Sequence, residues 1–236
     1  MTTKPPLYVV FEGGEGTYKT STIAAVADRL TNHGYRVLVT SEPGTPHLPV
    51  TMELRKIMLD NKYDAYLPPY AREFISQAIR QIHIEKLIRP AYNSGLYDVI
   101  LQDRGIMSGI IYAEACGVDA TDFTPEGLLQ TGIADAFRIY DLTIVLNREK
   151  HSLDIATSVK DEFGSGDAME SRGDDFHSTV NAKFKEYSNV LSATYDKCST
   201  RSLKSINVDE YDGKPLALST YIFDIINRHA AKKSVL

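Results

Sequence analysis

One short segment constrains this chain more than any other: a glycine-rich turn set between an apolar run and a helical run. Leu7–Glu12 (LYVVFE) is rich in β-branched and aromatic residues and ends at Gly13-Gly14, which reads as a buried strand entering a tight turn. From Thr20 to His33 the apolar residues Ile23, Val26, Ala27 and Leu30 recur with a helical period, and Gly34 supplies a stop. The intervening residues, Gly13-Gly14-Glu15-Gly16-Thr17-Tyr18-Lys19-Thr20, follow the pattern of a phosphate-binding loop: Gly, four residues, Gly-Lys-Ser/Thr. Backbone N–H groups curl around a phosphate there, the helix N-terminus adds its positive end, and a lysine neutralises the β and γ oxygens. Tyr18 stands where the second glycine is expected. A non-glycine residue at that point requires a tolerated backbone geometry or some strain. A glycine-rich turn with an incidental Lys-Thr is the alternative, and the strand–loop–helix context argues against it.

The rest of the chain repeats the alternation. Arg36–Thr40, Asp98–Gln102, Leu142–Leu146 and Ser205–Val208 read as further strands. Leu54–Leu59, Tyr70–Ile88 closed by Pro90, Ile106–Cys116 and Pro125–Phe137 read as helices. Strands alternating with helices predict a parallel sheet covered on both faces. No internal repeat or linker divides the chain, so residues 1–236 read as one domain. Phe163–Asp175 is rich in Gly, Ser and Asp without periodicity and reads as a mobile loop. Asp174-Asp175 reads as a helix start rather than a metal site.

Composition narrows the chemistry. A formal charge of −5 speaks against non-specific nucleic-acid binding, while a small anionic ligand needs only a local cluster of positive groups. Cys116 and Cys198 lie far apart without metal-type spacing and read as reduced thiols, as in a cytosolic protein. The apolar run at the N-terminus is too short for a signal peptide or a membrane span. The expectation is a cytoplasmic protein that meets no membrane. The six histidines show no metal-binding spacing.

Asp103 closes the third strand, where phosphate-binding loops place an acid near a metal ion; Thr20 would ligate Mg²⁺ through its hydroxyl and Asp103 directly or through water. A helix N-cap is the alternative role for such an aspartate. Arg104 beside it adds a cation at the mouth of the sheet, where open α/β folds bind ligands, and suits a second phosphate.

Five segments, in order, resemble the thymidylate kinase family: FEGGEGTYKT at 11–20, SEPGTP at 41–46, EKLIRPAYNSG at 85–95, VILQDR at 99–104 with SGIIY at 108–112, and DLTIVL at 141–146. The resemblance implies a P-loop NTPase fold of the nucleoside monophosphate kinase type: α/β, a five-stranded parallel sheet with helices on both faces and a lid at about 159–175. It implies ATP as phosphate donor, Mg²⁺ as cofactor, dTMP as acceptor and dTDP as product, and a homodimer. It assigns ATP to Gly13, Gly14, Glu15, Gly16, Thr17, Tyr18, Lys19, Thr20 and Ser21, and the metal to Thr20 and Asp103. Lys19, Asp103, Arg104, Glu15 and the lid residue Arg172 take catalytic roles. On the acceptor, Arg104 grips the phosphate, Glu15 lies near the sugar and phosphate, and Arg80 meets the carbonyl edge of the base. Tyr112 lies against the sugar, and Ser108, Gly109, Ser76 and Phe74 complete the pocket. Phosphoryl transfer needs such residues because it is largely positioning plus charge neutralisation.

The sequence departs from the family pattern at several points. Ser41 replaces an arginine, Gly105 a tyrosine and Ser76 the phenylalanine that stacks on the base; Gly109 replaces a polar residue, and Ala168 an arginine of the lid. Two readings of the small residues at 76, 105 and 109 stay open. Either Phe74 or Tyr70 restores the stack, or the pocket is widened for a purine or a modified pyrimidine deoxymonophosphate. A deoxynucleoside kinase and a non-catalytic nucleotide-binding module are the further alternatives. The retained Lys19, Thr20, Asp103 and Arg104 speak against the last.

Overall fold

Runs of apolar residues become strands that helices cover on both faces, the only arrangement in which a parallel sheet of such runs is kept from water. In this computed structural model, which describes residues 4–119, 140–148, 169, 172–195 and 201–235, the strands are β1 (Leu7–Glu12), β2 (Val37–Ser41), β3 (Val99–Asp103), β4 (Leu142–Asn147) and β5 (Ser202–Asn207). The helices are α1 (Lys19–Asn32), α2 (Pro49–Leu59), α3 (Pro69–His83), α4 (Arg89–Ser94), α5 (Ile106–Ala115), α6 (Asp174–Tyr195) and α7 (Pro215–Val235). The expected helix at 125–137 and most of the expected lid at 159–175 lie outside the described residues.

All strand pairings are parallel and the order is β2-β3-β1-β4-β5. β1 is therefore central, with Val9 level with Leu101 of β3 and Leu142 of β4. Side chains alternate across it. Val9 and Phe11 join Ile23, Val26 and Leu30 of α1 and Leu218, Ile222 and Ile226 of α7 on one face. Tyr8 and Val10 join Ile84, Ile88 and Ile106 on the other. Each such fully buried aliphatic or aromatic side chain contributes about 1.5–3 kcal/mol relative to exposure. The same alternation turns Glu12 toward the second face, against the start of α5. α6 packs Val180 and Phe184 on Met107, Ile111, Val145 and Leu203.

Pro90 does not close the helix that precedes it. α3 ends at His83, a π-helical turn follows over Ile84–Ile88, and α4 begins at Arg89 with Pro90 in its first turn. A proline is tolerated there, where its missing N–H would have had no intrahelical partner. The helix ends only at Ser94, followed by Gly95 in the left-handed region. Pro49 likewise opens α2 at its first turn, so that helix begins five residues before the apolar pattern suggested.

Candidate active site

The carboxyl end of β1 leads into the loop, and the loop geometry follows from its residues. Gly13 has φ 141, and a Cβ there would overlap the Leu146 carbonyl of β4, so only glycine fits. Tyr18 adopts the left-handed geometry its position requires, φ 59 and ψ 20, at a cost of about 1–2 kcal/mol for a residue with a Cβ. Its ring lies 4.9 Å from the Arg148 guanidinium, and its hydroxyl is 3.3 Å from Asp212 Oδ1. Tyr18 caps α1 without a side-chain hydrogen bond, and no acidic residue occupies the first turn. The first N–H groups of α1 thus have no side-chain cap, as an anion site requires.

Lys19 is buried, its Nζ donating to the Gly14 carbonyl at 2.7 Å and lying 3.3 Å from Thr17 Oγ1. Burial, then the nearby Arg104 charge, lowers its pKa to about 7 against the opposing pull of Asp103, Glu12 and Glu15. A lysine so depressed is a group prepared for an anion that would restore its charge. Thr17 Oγ1 donates to Gly14 O, and the exposed Ser21 hydroxyl donates to Tyr18 O.

Thr20 Oγ1 donates to Asp103 Oδ2 at 2.8 Å, and Asp103 Oδ1 is buried without a hydrogen bond. A hydroxyl beside an unsatisfied carboxylate oxygen fits a hard cation that takes its remaining ligands from phosphate and water. Among the described residues no cluster of three His, Cys, Asp or Glu forms a protein-only metal cage.

Arg104 also sits at positive φ, 62°. Its backbone N–H continues the β1–β3 ladder to Phe11 O, while its Nη1 donates to Gly13 O at 3.0 Å and to Ser108 Oγ at 3.4 Å. Its guanidinium lies 5.1 Å from the Tyr112 ring. Burial would lower its pKa, but Tyr112, Asp103, Glu15 and Glu12 together raise it, so the charge is secure.

Glu12 was given no role by its sequence, yet it anchors this corner. It is 1% exposed; Oε1 accepts from Met107 N at 3.1 Å, and Oε2 from Ser108 N at 3.1 Å and Ser108 Oγ at 2.5 Å. Burial pushes it up to about 7, against the Ser108 bond and the Arg104 charge. Its only sequence signal is a glutamate closing an otherwise apolar strand.

A cavity of about 590 Å³ opens beside the loop. It collects Glu15 and Thr20 of the loop, Asp103, Arg104, Ser108, Gly109 and Tyr112 around α5, and Ser76 and Arg80 of α3. Arg80 is buried and held in place: Nε donates to Glu42 Oε2 at 2.7 Å, Nη1 to Gln77 Oε1 at 3.2 Å and Nη2 to Gly105 O at 3.4 Å. Burial would raise Glu42, but Arg80 and then His83, 3.0 Å away, outweigh it and hold the carboxyl at about 2. Glu42 and His83 are a second pair that motif reading left without a role.

Around the acceptor pocket several expectations change. Gly109 and Gly105 do not widen the cavity. A Cβ on Gly109 would overlap Arg80 Nη2, and one on Gly105 would lie 2.6 Å from the Tyr140 hydroxyl and 2.9 Å from Val10 Cγ2. The room those residues leave is filled by Arg80 and Tyr140. Phe74 does not reach the cavity: it is 52% exposed, on the opposite side of α3 from Arg72, Ser76 and Arg80, because positions 74 and 76 are about 200° apart on a helix. Tyr70 is also outside it, its hydroxyl accepting from Asp119 N at 3.3 Å. Arg172 is exposed and lies 5.3 Å from the Phe176 ring; it does not itself line the cavity, but its charge is near enough to the lining residue Cys116 to oppose the rise that burial imposes on that thiol. Glu15 lines the cavity and also stands 3.4 Å from His177 Nδ1 of α6.

Comparison with known proteins agrees with this geometry. The family described as thymidylate kinase matches residues 11–126. A thymidylate kinase of Clavibacter michiganensis subsp. michiganensis is 31% identical over 186 residues, 75% of this chain and 79% of its own length. One of Leifsonia xyli subsp. xyli is 33% identical over 195 residues, 78% of this chain and 82% of its own. Among solved structures, thymidylate kinase from Ehrlichia chaffeensis superposes with a TM-score of 0.62 at 17% identity, covering 94% of this chain and 99% of that one. Thymidylate kinase from Candida albicans gives 0.62 at 21%, covering 96% and 94%. With the five-stranded fold, the phosphate loop and the Asp-Arg corner in place, the chain belongs to the thymidylate kinase family.

Proposed function

We propose that this protein transfers the γ-phosphate of ATP to a deoxynucleoside 5′-monophosphate, with dTMP as its acceptor. The observation that carries the reading is two cationic sites side by side: the buried Lys19 at the uncapped start of α1, whose next residue Thr20 lines the cavity, and Arg104 and Arg80, which line it further in. Two polyanions must approach nearly in line, and only such a pair of positive sites offsets their repulsion. Residues 13–21 hold the donor phosphates, with Lys19 on the β and γ oxygens. Arg104 grips the acceptor phosphate, kept at its post by Gly13 O and Ser108. Arg80, locked by Glu42, presents its guanidinium to the base, while Glu15, Ser108, Gly109, Tyr112 and Ser76 shape the space for the nucleoside. Thr20 and Asp103 hold Mg²⁺, which supplies neutralisation of the phosphate oxygens when bound with ATP. A kinase whose acceptor is an uncharged nucleoside has less use for Arg104, so the monophosphate is preferred.

The residues act as one kinase domain over 1–236, closed by a lid at about 159–175 that contributes Arg172. The protein works in the cytoplasm as a homodimer, and the exposed apolar Val50 and Ile57, seven positions apart on one side of α2, are residues a second copy would cover. Among the described residues no helix is long and apolar enough to cross a membrane.

A coupled ADP-release assay across the deoxynucleosides and their monophosphates tests the reading. Turnover is expected to be fastest with dTMP and absent with thymidine. Turnover with nucleosides but not monophosphates, or none with any acceptor, would overturn it.

A further inference from the structure

Tyr18 and Arg148 are 130 positions apart, and the motifs account for neither side chain, yet they meet. The Arg148 guanidinium lies 4.9 Å from the centre of the Tyr18 ring. Arg148 follows β4 directly, and its side chain is 4% exposed. Its Nη2 donates to Asp212 Oδ1 at 2.8 Å, and Nη1 stands 3.5 Å from Asp209 Oδ1. The Tyr18 hydroxyl is directed to the same Asp212 oxygen, at 3.3 Å. Three separate connections, the N-cap of α1, the end of β4 and the turn between β5 and α7, are joined by this one cluster.

Its place in the sheet says which substrate it serves. The acceptor cavity is lined, apart from Glu15, Thr20 and Met169, by residues 41–116, on the β2 and β3 side of β1. None of Tyr18, Arg148, Asp209 and Asp212 lines that cavity. Arg148, Asp209 and Asp212 lie just beyond β4 and β5, on the other side of β1, and Tyr18, after β1, turns its ring to them. A nucleotide whose phosphates occupy the loop, and whose nucleoside must clear the acceptor, leaves across this second side. Tyr18 is also the residue whose backbone geometry aims the N–H groups of Lys19, Thr20 and Ser21, the first of α1 and without a side-chain cap. A glycine would adopt that geometry freely; a tyrosine holds it at a cost, which contacts made by its ring offset.

We infer that Tyr18, clamped by Arg148 and Asp212, is a positioning residue for the donor nucleotide, and that this cluster replaces the usual glycine by a bolted geometry. The inference rests on the phosphate-transfer reading for its function but not for its measurement, because nucleotide binding can be followed without turnover.

The test compares Tyr18→Gly, Tyr18→Phe and Arg148→Lys with the wild type by calorimetric titration of MgATP in the absence of acceptor, together with KM for each substrate. Tyr18→Gly and Arg148→Lys are expected to weaken ATP binding roughly tenfold, the scale of one desolvated cation–π contact. KM for dTMP should stay within about twofold, because no member of the cluster lines its cavity. Lysine keeps the charge but loses the planar guanidinium, so a purely electrostatic role would leave Arg148→Lys unchanged. Tyr18→Phe keeps the ring and should shift ATP affinity only about twofold. The double variant Tyr18→Gly/Arg148→Lys should lose little more than either single one. If Tyr18→Gly does not fold, Arg148→Lys and Tyr18→Phe decide the matter on the same titration. ATP affinity unchanged in a folded Tyr18→Gly or Arg148→Lys, or equal losses for ATP and dTMP, would overturn the inference. A wild type that binds MgATP but transfers nothing would instead overturn the phosphate-transfer reading.

Discussion

At Gly109 one added methyl group separates two explanations of a small residue. A Cβ there would overlap Arg80 Nη2 and lie 3.0 Å from Nη1. Gly109→Ala is therefore expected to displace the arginine and raise KM for dTMP roughly tenfold, the scale of one charge-assisted hydrogen bond, with KM for ATP unchanged. An unchanged KM for dTMP in steady-state kinetics would mean that Arg80 does not meet the base. Ser76 lines the cavity on α3. Ser76→Phe should improve kcat/KM for dTMP by restoring a stack of about 1–3 kcal/mol; a loss instead would show that the ring cannot fit there. Lys19→Ala should lower kcat by on the order of a hundredfold or more, as for other preorganised charges. A tenth of the activity retained would remove it from the donor site. At this scale the sequence announced the charges but not their supports. Lys19, Thr20, Asp103 and Arg104 sit in spaced motifs, whereas Glu12 and Glu42 act through partners about 95 and 40 positions away that spacing does not encode. The misplacement of Phe74 has a local cause. Without its marker phenylalanine, α3 could be aligned but its facing could not.

Elements are joined at the site by buried ions. Glu42, just beyond β2, holds Arg80 and His83 of α3, and all three side chains are at most 5% exposed. Removing one member of such a group leaves an uncompensated buried charge, typically costing about 3–5 kcal/mol. Glu42→Ala should lower stability by that order in urea denaturation, and an effect below about 1 kcal/mol, the range of exposed pairs, would refute the buried-pair account. Strands were legible because a parallel sheet buries each run on both sides, so the apolar residues are nearly continuous. Pro90 misled because a proline stops a helix in its interior but opens one at its first turn. The π-helical turn over Ile84–Ile88, which no periodicity marks, decides between the two.

Over the whole molecule, Glu12 and Lys19 give the nucleotide-free protein a pH signature. Glu12 is raised to about 7, so between the ordinary carboxylate value and about 7 the folded chain holds a proton that the unfolded chain has lost. Its contribution is fully present below the ordinary carboxylate value and is lost as pH rises through about 7. Lys19 is lowered to about 7, so between there and the ordinary lysine value the unfolded chain binds the extra proton and stability rises with pH. Together they place a minimum of stability near neutrality, measurable as urea midpoints at about pH 5, 7 and 9. Glu12→Gln should flatten the acid side and Lys19→Met the alkaline side; profiles parallel to the wild type would refute both assignments. The cavity lining carries a different consequence. Nearly all of it comes from one unbroken stretch, residues 41–116. Acceptor preference is thus inherited as a single cassette: grafting that stretch from a relative that favours another base should transplant its taste intact, while the recipient keeps its own appetite for the donor.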